Sequence, residues 1–329
     1  MNNNREAYFD NAKWIMIILV VFGHVISPMK QDNSSLYSLY TTIYLLHMPG
    51  FILISGYFAK QYREKGYLKK IARKTLLPYV IFQLMYGVFY FGIDYMLGNK
   101  ATLDLGIFKP HFTLWFLVSL FCWNVLLFLY ARFRWWIVFA AFAAGIAIGY
   151  MDDVNKFLSV ARTFVYFPFF LIGFYLKPEF FKKLRNLPWQ IVGAVTIGVV
   201  LTTFFFYSPE GITKWLECAF SYAKMGTGGW EAGLIRLGQY ALMLLATFSF
   251  LALIPGKRLS MTVFGTRTLY VYLLHGFIIQ AMRHSISDST FDAISGHILF
   301  LLAVALGISL VLATRTTKKF TRPLVELRA

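Results

Sequence analysis

Lys13-Trp14-Ile15-Met16-Ile17-Ile18-Leu19-Val20-Val21-Phe22-Gly23-His24-Val25-Ile26 is the stretch that decides the fold class. No charge stands between its lysine and its histidine, and an apolar run of this kind belongs in a bilayer, which about 20 residues cross as a helix rising 1.5 Å per residue. The run lacks the small-residue cleavage site of a secretion signal, so it reads as a retained membrane helix.

Stretches of the same kind recur near 12–29, 37–58, 76–97, 112–131, 135–150, 160–176, 188–207, 235–254, 264–282 and 297–314. The fifth and sixth are short, as tilted or partly re-entrant segments are. Of 329 residues, 58% are apolar and only 14% charged, where a soluble domain carries charge at roughly a quarter of its positions. The 34 Phe, 20 Tyr and 8 Trp suit hydrocarbon and its interfaces alike. The expected fold is all-α: a polytopic integral membrane helical bundle of about ten transmembrane helices. It forms one membrane-embedded domain over 1–329, because the longest polar connection, 208–234, is itself rich in aromatics and glycine. Cys122 and Cys218 are too few for a disulfide framework and read as packing residues.

A net charge of +17 raises the question of nucleic acid, but the basic residues fall in short loops and form no continuous stripe, so no nucleic-acid partner is expected. Membrane topology accounts for them. If the N-terminus is cytoplasmic, the same side collects Lys60 to Lys74, Arg132 and Arg134, Lys177 to Arg185, Lys257, Arg258, Arg267 and the tail from Arg315. The positive-inside rule then places both termini in the cytoplasm and makes the helix number even. The expected location is a cell membrane, the bacterial cytoplasmic one, crossed many times.

A charged residue inside hydrocarbon costs at least ~2.5 kcal/mol, so those present are candidates for function. Lys13 and His24 are eleven positions apart, a spacing that returns to within about 20° of the same helix face roughly 16 Å along the axis. One reading is a cleft with a cation at its cytoplasmic mouth and an imidazole deeper in, able when neutral to take a proton from an alcohol. Gly23 would leave room there for a close approach. The structural alternative has Lys13 snorkelling to headgroups and His24 bonding a neighbouring helix. His275 and His47 are further histidines in apolar spans. No acid or cysteine accompanies them at a ligand spacing, so no metal is expected. Lys60 to Lys74 is either a topology signal or a phosphate clamp, since Lys69 and Arg73, and Lys70 and Lys74, share a face at i, i+4.

Several short motifs follow one another along the chain. They are Asp10-Asn11-Ala12-Lys13 with His24, His47-Met48-Pro49, Ser55-Gly56-Tyr57-Phe58, and the basic stretch from Lys69 to Tyr79. His111 with Leu114-Trp115-Phe116-Leu117 comes next, then Phe167-Pro168-Phe169-Phe170-Leu171-Ile172-Gly173 and Tyr272-Leu273-Leu274-His275-Gly276. In this order they resemble the acyltransferase-3 family of multi-pass membrane acyltransferases, particularly its fucose 4-O-acetylase-like branch. The resemblance implies transfer of an acyl group, expected to be acetyl, from cytoplasmic acetyl-CoA to a hydroxyl of a cell-envelope glycan or glycolipid. It makes His24 the catalytic base, with Lys13 and Asp10 beside it. It assigns acyl-CoA to Lys69, Lys70, Arg73 and Lys74, with Trp115 and Arg162 contributing to the cleft. His47, His111 and His275 remain further candidates. Many members carry arginine where this chain has Lys13, and a lysine cannot make the bidentate fork. A fused extracytoplasmic domain, frequent in the family, is not legible here, which leaves direct transfer and hand-off to a partner both open. The rival class is a secondary transporter or flippase, for which many helices and intramembrane histidines are equally natural.

Overall fold

The computed structural model describes residues 3–31, 33–152, 157–209 and 211–326. It is all helical among those residues, in the order α1 Asn3–Ile26, α2 Ser34–Phe58, α3 Tyr67–Met96, α4 Trp115–Tyr130, α5 Trp135–Ala147, α6 Val160–Tyr175, α7 Pro178–Leu184 and α8 Leu187–Phe206. There follow α9 Ile212–Glu217, α10 Glu231–Leu253, α11 Thr262–Gly265, α12 Thr268–Ser285, α13 Asp288–Ser295, α14 Ile298–Leu312 and α15 Arg315–Val325. The starts have local causes. Asn33 opens α2 by accepting hydrogen bonds from the backbone N–H groups of Ser35 at 2.8 Å and Leu36 at 3.3 Å, which satisfies donors a helix end leaves free. Gly66, at φ +80°, turns the chain into α3.

Every expected apolar stretch falls on a helix, though not every one is long and apolar enough to cross by itself. Six helices are long and apolar enough to cross a membrane by themselves, and up to eight segments qualify if α6 with α7 and α13 with α14, bent by 98° and 111°, each make one span. About ten exceeds what length and apolarity alone support. Trp135–Tyr150 is shorter, and α12 places His275, Gln280, Arg283 and His284 among its 18 residues. A correction concerns Lys69, Lys70, Arg73 and Lys74, expected in a loop. They form the first two turns of α3, because lysine and arginine are good helix formers whose charge hides the helix from an apolar search.

The packing is organised by α2, which touches α1, α6, α8 and α10. One buried cluster joins α2 to α4, α5, α6 and α10, and a second joins α1 and α2 to α12 and α14, so α1 and α2 stand where two halves meet. Large apolar side chains such as Trp136, Phe139, Val195 and Leu299 stay exposed on the outer helices, as they do when lipid is the solvent. The basic amphipathic α15 is tied down at its end: Glu326 accepts from Tyr270 at 2.7 Å and pairs with Lys318 at 3.4 Å and Arg322 at 3.0 Å. The Tyr270 hydroxyl, with the two cations, holds the Glu326 carboxyl below its usual range. A depressed carboxyl contributes stability above its ordinary pKa and loses it as pH falls through the lowered value. The thermal midpoint of wild type should therefore exceed that of Glu326→Gln at neutral pH, and the gap should close in acid. A gap that persists unchanged in acid contradicts this account.

Candidate active site

Lys13, Ile17, Val20, His24 and Ser27 succeed one another at intervals of four, three, four and three, the pattern of one helix face, and all five line a cavity of ≈ 380 Å³. That volume is within the range of ligand sites. The facing wall is α2, whose Tyr40, Tyr44, His47, Phe51 and Ser55 keep the same periodicity. The two helices run antiparallel: Gly23 faces Ile43 and Tyr44, while Gly50 faces Met16. Lys13 thus shares one end of the cavity with Ser55, Thr268 and Leu269, and His24 shares the other with Tyr44, Phe112, Trp115, Arg162, Glu217 and Arg283. A Cβ on Gly23 would meet Ile43 and Tyr44 at ordinary contact distance, 3.4 Å, so the expected room beside His24 is filled by α2.

The His24 ring is half-buried and opens on this cavity. Its centroid lies 4.7 Å from that of Phe112, 5.6 Å from His275 and 6.5 Å from Tyr44. Among the described residues no side chain or backbone group hydrogen-bonds its ring nitrogens, so they are open to a substrate; its main-chain carbonyl accepts from Arg283 Nη2 at 3.2 Å. The buried His275 sets Nδ1 2.9 Å from the Val271 carbonyl, which assigns the proton to Nδ1 and leaves Nε2 a free acceptor with no partner. His47 places Nδ1 2.5 Å from the Ile43 carbonyl in the same way and also lines the cavity.

At the other end Lys13 Nζ pairs with Asp10 Oδ1 at 2.7 Å. Asn11, between them in sequence and fully buried, donates to the carbonyls of Pro255 at 2.8 Å and Lys257 at 2.9 Å and accepts from the Thr262 hydroxyl at 2.7 Å. These bonds fasten the start of α1 to the segment leading into α11 and so fix the height of Lys13.

Trp115 and Arg162 line the cavity at the His24 end, where the Arg162 guanidinium lies 5.0 Å from the Trp115 ring centroid. The structure does not bring His111 into the cavity lining. Its backbone N–H donates to Gln83 at 2.9 Å, its ring sits by Tyr90, and burial pushes the imidazole below its usual pKa against the pull of Asp104. Lys69, Lys70, Arg73 and Lys74 are exposed on α3 and do not line the cavity. Sequence reasoning missed Tyr40, Tyr44, Glu217 and Arg283, which complete the His24 end. The 208–234 connection is no free platform of aromatics: α9 in it supplies Glu217 to the cavity, and Trp215 stacks on the buried Tyr222 at 5.3 Å, leaving Trp230 exposed. Among the described residues no three His, Cys, Asp or Glu side chains gather as metal ligands would.

The helices and the cavity define a multi-pass membrane protein with an imidazole and a paired lysine on one wall of an internal cavity. The family model for the acyltransferase domain matches residues 6–315, and the chain belongs to that family. It is similar to the nodulation protein NolL of Mesorhizobium japonicum, with 26% identity over 182 residues, 52% of this chain and 48% of that protein. A second similarity is to the nodulation protein NolL of Sinorhizobium fredii, 47% identical over 60 residues that make 17% of this chain and 16% of that one. The matches thus span less than half the length of either relative. No solved structure matches.

Proposed function

We propose that the protein transfers an acyl group, acetyl by preference, from cytoplasmic acyl-CoA to a hydroxyl of a cell-envelope glycan or glycolipid in the cell membrane, with His24 as general base. The observation that carries this reading is the single cavity lined by both Lys13 and His24. Their separation along α1, roughly 16 Å, is comparable with an extended pantetheine arm, so a thioester entering at Lys13 would present its carbonyl near His24. The His24 imidazole takes the hydroxyl proton, the alkoxide oxygen attacks the thioester carbonyl, and the carbon–sulfur bond breaks. The leaving thiolate takes the proton back from the imidazolium, so free CoA thiol and an ester are formed and the base is regenerated. No acyl-enzyme is required.

The test is release of CoA thiol from acetyl-CoA by the purified protein in detergent, with and without sugar acceptors. Failure to bind or consume acyl-CoA would move the reading to transport of a polar substrate. The basic start of α3 is assigned to the CoA phosphates. Changing Lys69, Lys70 and Arg73 together to Gln should raise the apparent KM for acetyl-CoA on the order of tenfold, taking about 0.5 kcal/mol for each exposed contact. The residual KM should depend less on salt, while thermal unfolding stays unchanged. An unaltered KM would reduce these residues to a topology signal.

A further inference from the structure

We propose that the His24 end of the cavity binds the acyl acceptor through one anionic group, a carboxylate or a phosphate, held by Arg162 and Arg283. The word acceptor rests on the transferase reading above; the anion site itself stands on how the charges of the cavity wall are matched. Lys13 is neutralised by Asp10 at 2.7 Å. Glu217, the one carboxylate lining the cavity among the described residues, is engaged by Lys30 at 3.8 Å and by the Tyr40 hydroxyl at 3.4 Å. Arg162 and Arg283 are left over, and neither forms an ion pair with any described carboxylate.

Both are nonetheless held in place. Arg162 donates from Nε to the Glu217 carbonyl at 3.0 Å and rests on the Trp115 ring. Arg283 donates from Nη2 to the His24 carbonyl at 3.2 Å and lies 5.5 Å from the Phe112 ring centroid, while its Nε is enclosed without any hydrogen-bond partner. Two uncompensated guanidiniums in a partly desolvated wall are costly unless an anion completes them. Anchored by carbonyls and aromatic faces, they form a positioned donor set suited to a carboxylate or phosphate. The donor substrate does not supply that anion: what reaches His24 is the uncharged acyl and pantetheine portion, with the CoA phosphates at the opposite end. The charge must then come with the hydroxyl compound.

Binding is measured with the purified protein in phosphatidylcholine nanodiscs, without acyl-CoA, using glucose, glucuronate and glucose 1-phosphate as probes. Glucuronate or glucose 1-phosphate should bind at least about tenfold more tightly than glucose, the size expected of a charge-assisted pair, with a preference that shrinks as salt rises. Arg283→Gln and Arg162→Gln should each remove most of that preference. Arg283→Lys, which keeps the cation, should retain part of it and controls for loss of fold. Equal binding of glucose and the two anions, or a preference that survives both glutamine variants, overturns the proposal. So does loss of anion binding when phosphatidylglycerol is added to the discs, which would give the arginines to a lipid headgroup. Anionic sugars that bind but never promote thiol release would instead defeat the transferase reading and leave the anion site standing. Thiol release promoted by sugars that show no preference for charge would do the reverse.

Discussion

His24→Ala is expected to lower acyl transfer by about 10²–10⁴-fold at saturating acetyl-CoA, the range associated with loss of a positioned general base. A sugar hydroxyl is a poor nucleophile while it keeps its proton, and His24 lines the cavity with ring nitrogens that no group among the described residues hydrogen-bonds. The loss corresponds to about 3–5 kcal/mol of transition-state stabilisation. Acyl-CoA binding should survive, because Lys13 and the α3 residues assigned to the CoA phosphates in the proposal are untouched. His24→Gln, polar and of similar reach but unable to cycle a proton near neutral pH, should behave like alanine. Thiol release followed in both variants, with thermal unfolding as the check on folding, decides the matter. A wild-type rate in either would pass the base to another group, with His275 the nearest other imidazole.

The second large effect is structural. A Cβ on Gly56 would land within the Phe170 carbonyl of α6, and a Cβ on Gly173 within the Leu53 carbonyl of α2. The two helices therefore meet backbone to backbone at reciprocal glycines, the close approach that small residues permit between membrane helices. The obstacle in each case is main chain, which cannot rotate away as a side chain can. Gly56→Ala and Gly173→Ala should each destabilise by about 3 kcal/mol, the upper part of the usual overpacking range. Their double variant should fall short of the sum, because once the helices have parted the second methyl meets little. Equilibrium unfolding in a mild detergent measures this, and wild-type stability in either single variant would sink the claim. Transfer activity should fall as well, since α2 carries the wall from Tyr40 to Ser55.

The stripe of Lys13 and His24 was legible in the sequence because both residues ride one helix, whose geometry is local and fixed. The facing wall was half legible: His47 drew attention as a histidine in an apolar run, whereas Tyr40 and Tyr44 looked like ordinary membrane aromatics. Arg283 was not legible, for its bond to the His24 carbonyl joins residues 259 positions apart. Glu217 lay in a connection whose folding back over the cavity no periodicity announces. His111 misled in a specific way. It is close in sequence to Thr113 and Trp115, which line the cavity, but Phe112 adopts φ +45°, rare for a residue with a side chain, and successive side chains part there. The basic turns of α3 were found but given the wrong conformation, because a search for apolar length stops at the first charges.

Opposite Lys13, the cavity is roofed by α9, a short helix within a connection, and not by one of the long helices. Connections change length and composition at little cost to the packed elements they join. Glu217 and the carbonyl that steadies Arg162 belong to that replaceable part, while His24 and Lys13 belong to the frame. The piece that steadies Arg162 and the piece that carries His24 are thereby separable parts of the chain, so relatives sharing the frame are free to diverge in how that end of the cavity is finished.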